Sequence, residues 1–191
     1  MRNSSEEKWN SITHAIGIGV CLAMLWDGSI ITRALSAVLL LTYSFSVLYH
    51  AAEKESIKDV MRMLDIISIQ LSIYGTSILY AILMGGGFWS CLLLAFLGTV
   101  SVQYIVASYG KESFEKYLVP LCVLSGAACL TVILSLVEKN TCTLLYYFLV
   151  GCAAYLVGLA FYVKDNEKEW YHTIWHIFVL IGSSIHIVGT I

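Results

Sequence analysis

Apolar runs of membrane-crossing length recur along the chain, separated by short charged or glycine-rich breaks. They predict helices near 10–26, 29–51, 62–84, 88–108, 117–137, 142–163 and 171–190. The breaks are Asp27-Gly28, the charged stretch 53–62, Gly85-Gly86-Gly87, and residues 111–116, 138–140 and 164–169. Crossing a hydrocarbon core of roughly 30 Å takes about 20 mostly apolar residues per helix. The expectation is therefore an all-α, polytopic integral membrane protein, with seven transmembrane helices in one bundle and residues 1–191 as a single membrane domain. Such tight connections favour antiparallel neighbours. Pro120, the only proline, falls near the start of the fifth run, where a helix tolerates it. The first run opens with Glu6, Glu7, Trp9 and Asn10 and has no convincing small-residue cleavage site before Asp27, so it is read as a span rather than a signal peptide.

Composition agrees. The 191 residues are 59% hydrophobic and only 13% charged, with a mean hydropathy of +0.80, well outside the make-up of a soluble domain. A net charge of -2 leaves no basic patch, which excludes nucleic acid as a partner. Cys21, Cys91, Cys122, Cys129, Cys142 and Cys152 lie in or beside apolar runs without C-x-x-C pairing, so they read as packing residues rather than a disulfide framework or a thiolate metal site. The lysines and arginines are lopsided. Arg2, Lys8, Lys54, Lys58, Arg62, Lys111, Lys116, Lys164 and Lys168 fall at one end of alternating spans, against Arg33 and Lys139 at the other. Nine against two argues for an N-terminus inside and a C-terminus outside.

Ionisable groups within spans are costly unless they face the bundle interior and find partners, so each is a functional candidate. His50 lies about one turn before the second run ends. Asp65 lies about one turn after the third begins, and His172 and His176 open the seventh. Alternation brings these four groups from three helices to one depth. His172 and His176, four apart, share a helical face at metal-ligand spacing. With His50 they would form the three-nitrogen, open-position set typical of catalytic zinc, with water in the fourth place. Asp65 could orient that water, accept its proton or ligate directly. Ser46, one turn before His50, could hydrogen-bond the water or a substrate carbonyl.

Asp65, Ser68, Ser72 and Thr76 form one polar stripe on the third helix, its hydroxyls either lining a cavity or bonding to backbone and neighbouring helices. Glu7, Asn10 and His14 share a face of the first helix. They would seal or support the site, or form a solvated helix entry. His186 lies roughly 15 Å beyond His176 along the helix, too far to ligate the same ion. It is either deeper in the same cavity, near a substrate, or a packed, hydrogen-bonded histidine.

At these residues the chain resembles the bacterial hemolysin III family, within the progestin and adipoQ receptor family and the broader CREST group of membrane hydrolases. The segment from Glu6 to His14 looks like the family's first motif, Ser46-Val-Leu-Tyr-His50 like its S-x3-H, and Leu64-Asp65 like its third-helix aspartate. His172-Thr-Ile-Trp-His176, with Val179 to Ser183 and His186, looks like its closing motif. The resemblance runs over essentially the whole chain. It implies a seven-helix protein of the bacterial plasma membrane with a cytoplasmic N-terminus. It also implies a zinc ion held by His50, His172 and His176, with Asp65 hydrogen-bonding through water and Ser46 nearby. Ile66 and Thr173 stand where a histidine and a glutamate are common in relatives, which puts an extra acid or base in doubt but not the ligand set.

Two functional classes follow. One is a zinc-dependent membrane hydrolase, amidase- or ceramidase-like, with a membrane lipid as substrate and a role in membrane homeostasis. The other is a non-enzymatic sensor or receptor-like protein, or an ion-conducting or pore-forming one, in which zinc is structural. The sequence has no repeated pore-lining charge ring and no inverted repeat, which weakens a dedicated channel or transporter.

Overall fold

A computed structural model describes residues 4–111 and 114–191. Arg2 of the charge count and residues 112–113 of the fourth break lie outside the described residues. The described chain forms seven long helices: α1 (Ser4–Asp27), α2 (Ile30–Ala51), α3 (Glu55–Leu83), α4 (Phe88–Ser108), α5 (Phe114–Ser135), α6 (Cys142–Tyr162) and α7 (Tyr171–Val188). A single 3-10 turn (Lys139–Thr141) leads into α6. All seven are long and apolar enough to cross a membrane.

Two helices run past the apolar runs that announce them. α1 begins at Ser4 rather than near 10, and α3 at Glu55 rather than 62. The reason is the same in both. Glu, Lys and Arg are good helix formers that are costly in hydrocarbon but extend a helix readily beyond it. At 1.5 Å per residue the 29 residues of α3 span roughly 43 Å, more than the hydrocarbon core, so its charged first turns project from the apolar zone.

The chain order sets most of the packing. α1 lies on α2, α2 on α3, α3 on α4 and α5, and α6 on α7, while α7 returns to α1 and closes the bundle. Outward-facing Leu92, Leu93, Phe96 and Val100 on α4, and Leu149, Leu156 and Val157 on α6, are exposed. These helices are apolar all round because lipid on one side is as apolar as protein on the other.

Lipid gives helices no hydrophobic reason to associate, so close approach and interhelical hydrogen bonds hold the contacts. Gly17 lets the Tyr43 ring of α2 lie against α1, since a methyl there would sit 2.6 Å from the ring. Tyr43 in turn hydrogen-bonds Ser183 of α7. On the other flank of α7, Gly151 of α6 is the floor on which the His186 ring rests. Tyr80 donates to the His186 carbonyl across 2.9 Å, and Thr32 of α2 donates to the Thr190 carbonyl at 3.0 Å. Gln70 of α3 accepts from Ser125 of α5 at 2.9 Å.

A side chain at position 151 cannot coexist with this placement of His186. Gly151→Ala is expected to destabilise the bundle by about 2 kcal/mol, within the usual cost of overpacking. The same substitution in a His186→Ala background should cost under about 0.5 kcal/mol. Reversible unfolding in mixed micelles, run as a double-mutant cycle, measures the difference. Equal costs in both backgrounds would contradict the contact.

Candidate metal centre

The helix ends nearest the N-terminus of α1 carry the polar cluster. His50 occupies the last turn of α2, and His172 and His176 the first two turns of α7. All three are buried, at 5%, 6% and 2% exposure. Their rings converge: His172 and His176 have centroids 4.7 Å apart, His50 and His176 4.9 Å, and His50 and His172 5.3 Å. One nitrogen from each lies within 4.8 Å of the others, close enough to hold a single metal ion.

Carboxylates define the tautomers of two of these rings. Nδ1 of His50 is hydrogen-bonded to Glu7 of α1, and Nδ1 of His172 to Asp165 at 2.8 Å. An ionised carboxylate only accepts, so each Nδ1 carries the proton and each Nε2 of the neutral ring keeps its lone pair. This carboxylate–histidine arrangement is the usual outer support of a metal-ligating imidazole, fixing ring orientation and raising basicity. Glu7 is held on its other oxygen by Lys58 at 3.1 Å. The residues present therefore fit a metal, and their all-nitrogen donor set suits zinc better than magnesium or calcium, which take oxygen ligands.

Asp165 is the functional residue that sequence reasoning missed. It sits in a loop of successive turns after α6, within the charged break 164–169 read only as a connection. The chain enters α7 through Trp170, whose φ of 68° puts a non-glycine residue in the left-handed region. Such a conformation costs about 1–3 kcal/mol and persists only where its surroundings impose it. Here it is the bend between Asp165 and His172. A carboxylate seven residues before a histidine has no helical periodicity to reveal it.

The other residues singled out by sequence divide by surroundings. Ser46 is buried one turn before His50. Asp65 is half-buried on α3 and is not one of the three mutually close donors. Ser68 and Ser72 donate to the carbonyls of Asp65 and Ile69 in their own helix, at 2.7 and 2.9 Å, and Thr76 is buried. Asn10 is fully buried and its side-chain oxygen accepts from Thr173 of α7 at 2.6 Å. His14 stacks on His176 with centroids 3.9 Å apart and meets Tyr43 edge-on. His186 stands apart from the cluster. It packs among Tyr80, Phe148 and Tyr155, with Nε2 donating to the Phe148 carbonyl at 3.1 Å.

A seven-helix bundle of this kind, with three buried histidines gathered at one end, defines a polytopic membrane protein with a metal-competent intramembrane site. The chain belongs to the haemolysin-III-related family, which matches residues 2–187. It is similar to Hemolysin-3 of Bacillus cereus, 28% identical over 193 residues covering 94% of this chain and 88% of that one. It is likewise similar to a Hemolysin-3 homolog of Bacillus subtilis (strain 168), 29% identical over 202 residues covering 94% and 90%.

Because Asp165 and Glu7 hold the ligands from outside, Asp165→Asn and Glu7→Gln should each weaken metal affinity by about 10–100-fold while leaving the helical content unchanged. Chelator-competition titration of the purified variants, alongside circular dichroism, measures both. Wild-type affinity in either variant would remove that carboxylate from the support of the site.

Proposed function

We propose that this haemolysin-III-related protein is a zinc-dependent membrane hydrolase. It acts on an amide or ester bond of a lipid that enters from the bilayer, in the service of bacterial membrane homeostasis. The observation that carries this reading is the set of three buried imidazoles within 4.8 Å, two of them backed by carboxylates. Three protein nitrogens leave room for a further ligand, as catalytic zinc sites do and closed structural sites do not. Bound there, zinc would lower the pKa of a water to about 7 and polarise a carbonyl. His50, His172 and His176 would hold the ion, and Glu7 and Asp165 keep two of those imidazoles in the ligating tautomer. Asp65 would take a proton from the attacking water and return it to the departing amine or alcohol, and Ser46 would hydrogen-bond the reacting oxygen from the His50 face. The excess of nine cationic residues against two supports a cytoplasmic N-terminus, which puts the site near the cytoplasmic face and the C-terminus outside.

A specific feature favours a second reading, in which zinc is structural. α2 and α7 touch only sparingly, so an ion bridging His50 to His172 and His176 would also staple them together.

Purified in detergent without chelators, the wild type should carry close to one zinc per chain and His172→Ala less than about a tenth of that. Elemental analysis of the two decides the metal assignment, and sub-stoichiometric zinc in the wild type would sink it. Fatty-acid release from an amide or ester lipid should fall by about 100-fold or more in Asp65→Ala at unchanged zinc content. Activity that survives Asp65→Ala removes that residue from catalysis, and full zinc without any release in the wild type leaves the structural reading.

For orientation, a C-terminal alkaline phosphatase fusion should be active, since that reporter folds only outside the cytoplasm. A C-terminal green fluorescent protein should stay dark.

A further inference from the structure

Two buried polar side chains beside the histidine cluster have hydrogen-bonding groups without a partner among the described residues. Asn10 is fully buried and His14 is 4% exposed. Among the described residues, the Asn10 side-chain nitrogen has no hydrogen-bond partner, and neither does either ring nitrogen of His14. Orphaned buried donors are expensive, and native structures rarely tolerate several together unless something else fills them.

The placement of the pair says where the filling group would sit. Asn10 and His14 are one turn apart on a single face of α1, with Cβ atoms about 6 Å apart. Asn10 is fixed to Thr173, which lies between His172 and His176 in sequence. His14 lies flat on His176 itself. Both side chains are thereby held against the helix that supplies two of the three clustered imidazoles. The Thr173 bond takes the Asn10 oxygen, which leaves the amide N–H groups to donate.

The chemistry of a fitting partner follows from these groups. A neutral imidazole offers one N–H and one lone pair, and the Asn10 amide offers two more N–H groups, so donors outnumber acceptors three to one. The natural occupant accepts hydrogen bonds and carries no charge. A carboxylate would be repelled by Glu7, which lies three residues before Asn10 on the same face of α1, and a cation would find donors where it needs acceptors. A carbonyl oxygen has two lone pairs and fits.

We propose that Asn10 and His14 form a receptor for the carbonyl oxygen of an uncharged acyl lipid, an ester or amide, set on the α1 side of the histidine cluster. This deepens the hydrolase reading and rests on it for the use made of the bound carbonyl. Docking there would bring the acyl carbon beside the His176 edge of the cluster. A site built to donate to a carbonyl should discriminate strongly against an analogue without one, because its buried donors are then left unpaired.

The test uses full-chain protein in nanodiscs with [2-13C]tridecan-2-one as probe, an uncharged carbonyl compound without a hydrolysable bond, read by the infrared stretch of the labelled carbonyl, with zinc measured in the same samples. Wild type should add a saturable band at lower frequency than empty nanodiscs give. Unlabelled tridecan-2-one should displace it, and methyl dodecyl ether, which lacks the carbonyl, should not. His14→Phe keeps the stacking on His176 but removes both nitrogens, and Asn10→Leu keeps the volume but removes the amide. Each should abolish the shifted band at wild-type zinc content. Thr173→Val, which removes only the anchor of Asn10, should retain most of it. If Asn10→Leu does not fold, His14→Phe carries the test alone.

A wild type without a shifted band overturns the proposal, as does a band that survives His14→Phe or one that the ether displaces as well as the ketone. A variant that loses zinc together with the band assigns the pair to holding the ligands and overturns it equally. Zinc-free wild type with a normal, Asn10- and His14-dependent band would instead defeat the hydrolase reading and leave the carbonyl receptor standing.

Discussion

An imidazole or carboxylate surrounded by hydrocarbon must be satisfied by another helix, because no water is at hand and its own backbone has nothing to spare. The rest of this structure depends on that constraint. Glu7 reaches His50 and ties α1 to α2, Asp165 reaches His172 and fastens the α6–α7 loop over α7, and Asn10 with Thr173 joins α1 to α7. The contacts that close the bundle, first helix to last, are thus the contacts that shape the site. A helix that shifted would break a buried polar pair as well as a packing contact, and breaking one partner of a buried pair costs far more than loosening apolar packing in a solvent that is itself apolar.

Polar pairs recur at other depths, where α2 and α3 meet α7 and the residues just after it. Tyr43 meets Ser183, the Tyr80 hydroxyl meets the His186 carbonyl, and Thr32 meets Thr190 near the opposite end. α1, α2 and α7, with the inner face of α3, form a polar seam, whereas α4, α5 and α6 present mostly apolar surface. Glycines place the seam's aromatic rings. Gly17 makes room for Tyr43 and Gly151 for His186, so ring and backbone lie closer than side chains would allow. The histidine cluster is held in register by a series of short-range contacts rather than by any one of them.

The seven helices could be read from the sequence because lipid imposes one length and one composition on every span. What the apolar pattern could not give was where α1 and α3 begin, since their first turns are charged and extend outside the apolar zone. The histidines were readable for a related reason. His172 and His176 share a face by spacing, and alternation of short-looped spans brings His50 to their depth. Asp165 had neither signal. Its position depends on a chain reversal through a left-handed Trp170, a tertiary accident of the loop that no periodicity encodes. Ser68 and Ser72 show the opposite limit. Their spacing marks a polar face, but spacing cannot tell a lined cavity from hydroxyls turned back on their own helix, and both bond to the carbonyl three residues before.

Three imidazoles this close in a buried place raise an electrostatic question that packing alone does not answer. Were all three protonated, like charges would sit with ring centroids about 5 Å apart in a low-dielectric medium, an arrangement strongly opposed by Coulomb repulsion. With Glu7 and Asp165 each accepting from Nδ1, His50 and His172 can remain neutral, and their unprotonated nitrogens turn away from the carboxylates. One nitrogen from each of the three rings lies within 4.8 Å of the others, a spacing that a single cation can bridge. A proton shared among the rings would satisfy only two at a time, whereas a divalent ion satisfies all three and also offsets the carboxylates behind them. The outer carboxylates therefore bear on the proposed zinc more directly than the H-x3-H spacing does, since a helix can present two histidines four apart for many reasons, whereas a carboxylate behind His50 and another behind His172 are the support that ligating imidazoles use.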